Sequence, residues 1–103
     1  MQQPGPLVIV STNVTVGSTS TALVAANRKR MFLQIINRSD ERVDVVENAT
    51  AVAGEGIPLN PVDSDSNIQG AYEWSQGTGN LTQQAVNGIC ASGSKTVTVR
   101  EGT

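Results

Sequence analysis

Few side chains in this sequence have the chemistry for catalysis. The 103-residue chain contains no histidine, the residue that most often serves as a general base and as a metal ligand. Its single cysteine, Cys90, lies in the apolar run 85–91, where a thiol usually behaves as a small hydrophobic group. Asp44 and Glu47 are separated by an odd number of positions, so on a strand their carboxylates would point to opposite faces and could not work as a pair. We therefore expect no catalytic residues and no enzyme activity.

One polar segment imitates the beginning of a calcium-binding loop. Asp63, Asp65 and Asn67 have the spacing D-x-D-x-N of the first ligands in such a loop. The glycine expected next is replaced by Ile68, and the acid expected at the twelfth position is replaced by Trp74. We therefore interpret the segment as a turn and expect neither a metal nor another cofactor.

Aromatic and basic residues are the candidates for binding a partner. Tyr72 and Trp74 are two positions apart and so share one face of a strand. On an exposed face they would stack on a sugar or anchor a protein contact; on a buried face they would be core, which is favoured because aromatics make up only 3% of the chain. The run Arg28-Lys29-Arg30 would contact an acidic partner or keep a loop solvated beside a buried strand.

The elements that would position these residues are short strands. Apolar or β-branched runs alternate with turns rich in Gly, Pro, Asn, Asp and Ser, at a spacing of roughly 8–12 residues. We predict an all-β fold of seven or eight antiparallel strands without a helix, arranged as a β-sandwich or jelly roll, with a small β-barrel as the alternative. Nine candidate runs, from which these seven or eight strands would form, occupy positions 7–10, 14–16, 21–26, 31–37, 43–47, 57–59, 72–74, 85–91 and 95–101.

The domain boundaries and two hairpins follow from turn chemistry. Residues 1–6 contain Pro4, Gly5 and Pro6, which disfavour helix and strand pairing alike, so we expect an extended N-terminal arm followed by a single domain at 7–103. The polar residues between runs 31–37 and 43–47 suit a hairpin, as does the glycine-containing loop between runs 85–91 and 95–101. In the last run the alternation predicts that Val97 and Val99 point inward and that Thr96, Thr98 and Arg100 point outward.

Charge and hydropathy narrow the classes of partner. Seven basic and nine acidic side chains give a net charge of −2. The protein therefore lacks the positive electrostatic field that attracts the phosphates of nucleic acids, and we do not expect nucleic acid as a partner. The sequence has no long apolar run and no basic stretch followed by an apolar one at its N-terminus, so we expect neither a membrane partner nor a secretion signal.

The order of short motifs resembles small β-sandwich proteins encoded by tailed bacteriophages. The segment 14–40 contains an opening V-G-x-T followed by L-x-A, A-N-x-x-R and the strand motif L-x-I-x-N-x-S. Later come the motif G-I-x-L at 56–59, near the middle of the sequence, and a closing V-x-V-x-E-G at 97–102. The likeness covers most of residues 14–102.

This resemblance implies a structural protein of the virion. Such proteins are commonly capsid decoration or cement proteins, which bind the outer surface of the head, bridge subunits of the major capsid protein and associate as dimers or trimers; others are tail, neck or fibre components. No catalytic residues come with the family. A carbohydrate-binding module that uses Tyr72 and Trp74 is the alternative of another class. For any of these roles the candidate partner-binding residues are Gln2, Gln3, Pro4, Arg28, Lys29, Arg30, Tyr72 and Trp74.

Overall fold

A computed structural model describes residues 7–61 and 70–103. All regular elements in these ranges are strands, which confirms the predicted all-β class. The arm at 1–6, with Gln2, Gln3 and Pro4, and the calcium-like segment at 63–67 lie outside the described residues. The strands are β1 (Ile9–Val16), β2 (Thr21–Val24), β3 (Phe32–Asn37), β4 (Val43–Glu47), β5 (Ile57–Leu59), β6 (Ala71–Ser75), β7 (Val86–Cys90) and β8 (Lys95–Gly102).

The eight strands form two antiparallel four-stranded sheets. Sheet A has the order β1-β8-β3-β6 and sheet B the order β2-β7-β4-β5. The first half of the molecule pairs with the second half in reverse, β1 with β8, β2 with β7, β3 with β6 and β4 with β5. A long ribbon folded over in this way into two packed sheets is a jelly roll. The sandwich prediction is therefore confirmed, and the described strands do not form the alternative small barrel.

Both predicted hairpins are wrong. Strands β3 and β4 lie in different sheets, and so do β7 and β8. The short polar segments between them are arches that carry the backbone from one sheet to the other, while the pairing partners come from distant parts of the sequence. A loop of a few polar residues looks the same in both cases, because hairpins and arches need the same turn chemistry.

The core is built from the inner faces of both sheets. Val97 and Val99 are buried as predicted. Thr98 lies on the opposite, outer face but is also buried, because Arg38 Nε donates a hydrogen bond to its hydroxyl (2.8 Å) and that hydroxyl donates to Asn13 Oδ1 (2.8 Å). The side chains that fill the core are Val16, Leu23, Leu33, Ile35, Val43, Val45, Leu59, Trp74, Val86, Cys90, Val97 and Val99. Cys90 behaves as the small buried group that the sequence predicts.

A buried asparagine fixes the end of β3. Asn37 has no exposed surface, and its Nδ2 donates to the carbonyl oxygens of Glu41 (2.7 Å) and Leu59 (3.0 Å), while its Oδ1 accepts a hydrogen bond from Ser39 N (2.9 Å). These hydrogen bonds replace those that the amide made with water before it was buried. The asparagine therefore ties the arch after β3 to the end of β5.

Two surface carboxylates in this arch, Asp40 and Glu41, connect it to the arch between β7 and β8 and to the first residue of β8. Lys95 Nζ lies 2.8 Å from Asp40 Oδ1, and Ser92 N donates to Glu41 Oε1 at 2.8 Å. The hydrogen bond from the Lys95 ammonium lowers the pKa of Asp40, and the hydrogen bond from the Ser92 hydroxyl lowers the pKa of Glu41. Both contacts favour the ionised carboxylate in the folded state.

We expect acid to weaken this connection. Both pKa values are lower in the folded protein than in the unfolded chain. The ionised carboxylates therefore stabilise the fold fully at a pH above their ordinary pKa values of about 4, and this stabilisation is lost as the pH falls through the lowered pKa values. The Asp40→Asn/Glu41→Gln variant should show a smaller fall in Tm than wild type between about pH 5 and pH 3. A control at another exposed carboxylate, Glu55→Gln, should keep the wild-type fall. Equal falls in the double variant and wild type would contradict the assignment.

Candidate binding surface

Strand β1 lies at the edge of sheet A and presents a long free edge. It pairs with β8 over eight residues in unbroken register, from Ile9 opposite Gly102 to Val16 opposite Lys95. Two further backbone hydrogen bonds join Val8 and Thr103, at 3.2 and 3.0 Å. Within the described residues no strand pairs with the other side of β1, so that side offers backbone N–H and C=O groups to a partner.

The N-terminal half of this strand extends beyond the cover of sheet B. Val16 is fully buried and Val14 is packed against the core, but Val10 and Val8, on the same face, are 61% and 59% exposed. On the opposite face, Leu7 and Ile9 are also exposed.

Met31, which precedes β3, adds a further exposed apolar side chain close to this end. Its backbone N donates to Gly102 O (2.8 Å), and the Leu7 side chain lies against Gly102. We call this surface the apolar rim; it consists of Leu7, Val8, Ile9, Val10 and Met31.

No charge protects β1 from association. The sequence has no Asp, Glu, Lys or Arg before Arg28. Folded proteins usually blunt sheet edges with short strands, bulges, prolines or charges. Over residues 7–61 and 70–103 the other edges have such features, since β2 has four residues and a register shift, β5 has three residues including Pro58, and β6 carries Glu73. A long, regular, uncharged edge next to exposed apolar side chains is typical of a surface that pairs with another protein.

Arg30, predicted as a partner contact, is instead a structural residue. It has no exposed surface, and its Nε lies 2.8 Å from Glu101 Oε2. Its Nη1 donates to the carbonyl oxygens of Thr82 (3.2 Å) and Gln84 (2.7 Å), and its Nη2 donates to Ala25 O (2.6 Å). The guanidinium therefore joins β8 to the loops after β2 and after β6, and it has no surface with which to contact a partner.

Arg28 and Lys29, its neighbours in the basic run, lie at the surface. Both are exposed, and the turn that carries them is closed by a hydrogen bond from Lys29 N to Asn27 Oδ1 (3.0 Å). Their contact with an acidic partner stays a prediction.

The two aromatic rings face the core and do not form a sugar-binding platform. Trp74 is 1% exposed and pairs with Leu33 across sheet A. Its indole Nε1 donates to Glu47 Oε1 in sheet B at 2.7 Å. The half-buried Tyr72 packs edge-to-face on Trp74, with ring centroids 4.7 Å apart. The core interpretation of the sequence is the right one, and the carbohydrate-binding alternative loses the exposed plane on which it depends.

The outer face of sheet A carries a shallow polar groove of about 460 Å³. Its guanidinium groups come from Arg38, bonded to the Thr98 hydroxyl, and from Arg100, whose Nη1 donates to Gln34 Oε1 at 2.9 Å. Among the described residues neither arginine forms an ion pair. The remaining lining residues are Ser11, Asn13 and Ile36.

Residues 7–61 and 70–103 contain no group of three or more His, Cys, Asp or Glu side chains placed to hold a metal ion. In the part of the protein that the structure describes, no helix has the length and apolar character needed to cross a membrane.

Comparisons with protein-family models, curated proteins and solved structures give no match to this sequence.

Proposed function

We propose that the protein is a non-catalytic structural component that decorates the head of a tailed bacteriophage. In this role it binds the outer surface of the capsid and bridges subunits of the major capsid protein. The observation that carries the proposal is the apolar rim, a group of exposed apolar side chains at and beside the uncharged N-terminal end of β1. The motif resemblance supplies the virion context.

The rim has the physical properties of an adhesive surface. Removing apolar surface from water is favourable by roughly 25 cal/mol for each Å². The rim side chains are already held on paired backbone, so little conformational entropy is lost when they bind. A contact of modest strength becomes durable when many copies act on one particle. The rim therefore suits a protein that attaches in many copies to a repeating surface.

A buried arginine anchors β8, the strand that pairs with β1 beside the rim. Val10 lies opposite Glu101 on β8, and the Glu101 carboxylate is held by Arg30. Arg30 in turn binds the carbonyl oxygens of two loops at this end of the sandwich. The strand that carries the rim is thus anchored from beneath, although it extends past sheet B.

A charge placed in the rim should prevent attachment. In Val10→Lys the lysine lies at a site that is 61% exposed, so the fold should lose no more than ~0.5 kcal/mol of stability. Burying that ammonium against an apolar surface costs several kcal/mol, and we expect at least a ~10-fold fall in capsid affinity. The measurement is cosedimentation of purified variants with undecorated heads of the phage that encodes the protein.

The matched control is Val52→Lys, which places the same charge at another exposed valine, outside the rim. It should bind heads as wild type does. Wild-type binding by Val10→Lys, or an equal loss in both variants, would contradict the role of the rim. Electron microscopy of particles labelled with an antibody to the protein shows where it binds. A label at a single vertex, instead of over the whole head, would favour a tail, neck or fibre component.

A further inference from the structure

We propose that β1 pairs with β1 of a second copy of the protein, antiparallel and about a two-fold axis. The two A sheets would then join into one continuous eight-stranded sheet. This proposal deepens the proposed function by specifying how the protein associates with itself; it rests on that function for the purpose of the dimer, but not for its existence.

The shape of the edge makes strand pairing possible. All eight residues of β1 follow a regular register with β8, without a bulge. Successive backbone groups on the free side therefore have the spacing that an incoming antiparallel strand requires. Among the described edges this is the longest, as β6 has five residues, β2 four and β5 three.

The side chains of β1 are complementary to themselves. A two-fold axis places the strand against its own copy, so any charged residue near the axis would oppose a like charge. The strand has none; its polar residues are Ser11, Thr12, Asn13 and Thr15, and hydroxyl and amide groups of this kind pair well across strands.

The register of the pair also gives Val10 apolar neighbours along the sheet, while the face of the joined sheet stays open to the capsid. In a symmetric pair the two-fold axis passes beside a residue that faces its own copy, so at most seven residues of β1 can overlap. The axis then lies beside Thr12, with Ile9–Thr15 paired, or beside Asn13, with Val10–Val16 paired. In an antiparallel pair, residues opposite each other share a face. Val10 would then lie opposite Val14 of the second copy in the first register, and opposite Val16 of the second copy in the other. Either arrangement brings this exposed valine against apolar side chains.

Repulsion between the two copies of Arg100 does not oppose the dimer. Arg100 lies on β8, one strand in from the edge, opposite Ser11. In the joined sheet the two copies of this arginine would be three strand spacings apart, or ~14 Å. This separation exceeds the Debye length of about 8 Å at physiological ionic strength.

We expect a weak dimer, since a single strand edge is a small interface. A dissociation constant of ~1–100 µM is what we expect for an interface at the small end of the size range of protein–protein interfaces. On the surface of a particle, the high local concentration of copies would favour pairing beyond what dilute solution shows.

Sedimentation equilibrium of the full-length protein tests the pairing. Up to ~300 µM protein, the wild-type mass should rise from 10.8 kDa toward twice that value. The Thr12→Lys/Asn13→Lys variant should dissociate at least ~10-fold more readily, because either register brings ammonium groups close together. The control Thr50→Lys/Val52→Lys adds the same charge at exposed sites elsewhere and should behave as wild type does.

The proposal is overturned if the wild-type protein stays monomeric throughout this range, if its mass converges on a trimer, or if the Thr12→Lys/Asn13→Lys variant associates as strongly as its control. Circular dichroism of both variants checks that each is folded, and a melted Thr12→Lys/Asn13→Lys variant would be replaced by Thr12→Lys alone.

Disulfide trapping locates the axis. Opposed Cα atoms in an antiparallel pair are ~4.5–5.5 Å apart, which is within the range that a disulfide spans. Mild oxidation should therefore link dimers of Thr12→Cys or of Asn13→Cys, and not of Val52→Cys. Cys90 is 2% exposed and can stay in place. Failure of both β1 variants to crosslink would exclude this edge as the interface.

The two proposals fail separately. A protein that dimerises through β1 but does not bind heads would remove the decoration role and leave the dimer. A protein that binds heads but never crosslinks at Thr12 or Asn13 would do the reverse.

Discussion

Replacing Arg30 with alanine is expected to lower the free energy of unfolding by about 3–5 kcal/mol, because a fully buried guanidinium serves at once a carboxylate that is only 25% exposed and several backbone carbonyl oxygens. The substitution takes the partner from Glu101 and leaves the carbonyl oxygens of Ala25, Thr82 and Gln84 without their guanidinium donor. For a domain of this size the loss corresponds to a fall in Tm of roughly 15–30 °C.

Two variants separate this effect from a general loss of charge. Arg28→Ala removes an exposed cation from the same turn and should change stability by no more than ~0.5 kcal/mol. Arg30→Lys keeps the charge but lacks the planar fork that reaches several acceptors, so its stability should lie between wild type and Arg30→Ala. Urea denaturation gives all three values. A result for Arg30→Ala within ~1 kcal/mol of Arg28→Ala would refute the structural role of Arg30.

Trp74→Ala should be about as damaging, at about 3–5 kcal/mol. The side chain is 1% exposed and is the largest of the fully buried side chains in the described core. Its loss leaves a cavity beside Leu33 and Tyr72 and removes the donor that Glu47 uses. Thermal unfolding followed by circular dichroism measures the change.

Substitutions of Trp74 also test whether the protein binds sugars through its aromatic rings. Trp74→Phe keeps most of the buried aromatic area and should be less destabilising than Trp74→Ala. A glycan array with wild type and Trp74→Ala completes the test. If Trp74→Ala kept wild-type stability while a glycan signal disappeared, the ring would be a binding platform and the core assignment would fail.

Much of the fold was predictable from local pattern. The alternation of apolar and polar residues and the turn residues between runs located β4 at Val43–Glu47 and β5 at Ile57–Leu59, and they predicted that Val97 and Val99 point inward. Local pattern could not pair the strands. The partners of β8 are β1 and β3, far away in sequence, and that choice depends on how the whole ribbon folds over.

Whether the candidate binding residues are exposed was harder to predict, because burial depends on groups that are distant in sequence. Arg28, Lys29 and Arg30 look alike in sequence, yet Arg30 alone meets Glu101, which lies 71 positions later. Tyr72 and Trp74 share a face in either interpretation, and only the position of sheet B makes it the inner one. The sequence does contain one indication that β1 could bind a partner, namely the absence of charged residues before Arg28. That absence is informative only once β1 is known to lie at the edge of a sheet.

The most direct test of the proposed decoration role is a particle reconstruction of a tailed phage whose genome carries this sequence. We expect a jelly roll at many positions over the outer surface of the head, with the apolar rim against the capsid and Val10 excluded from solvent. A head that carries no such density, or copies whose rim faces the solvent, would contradict that role.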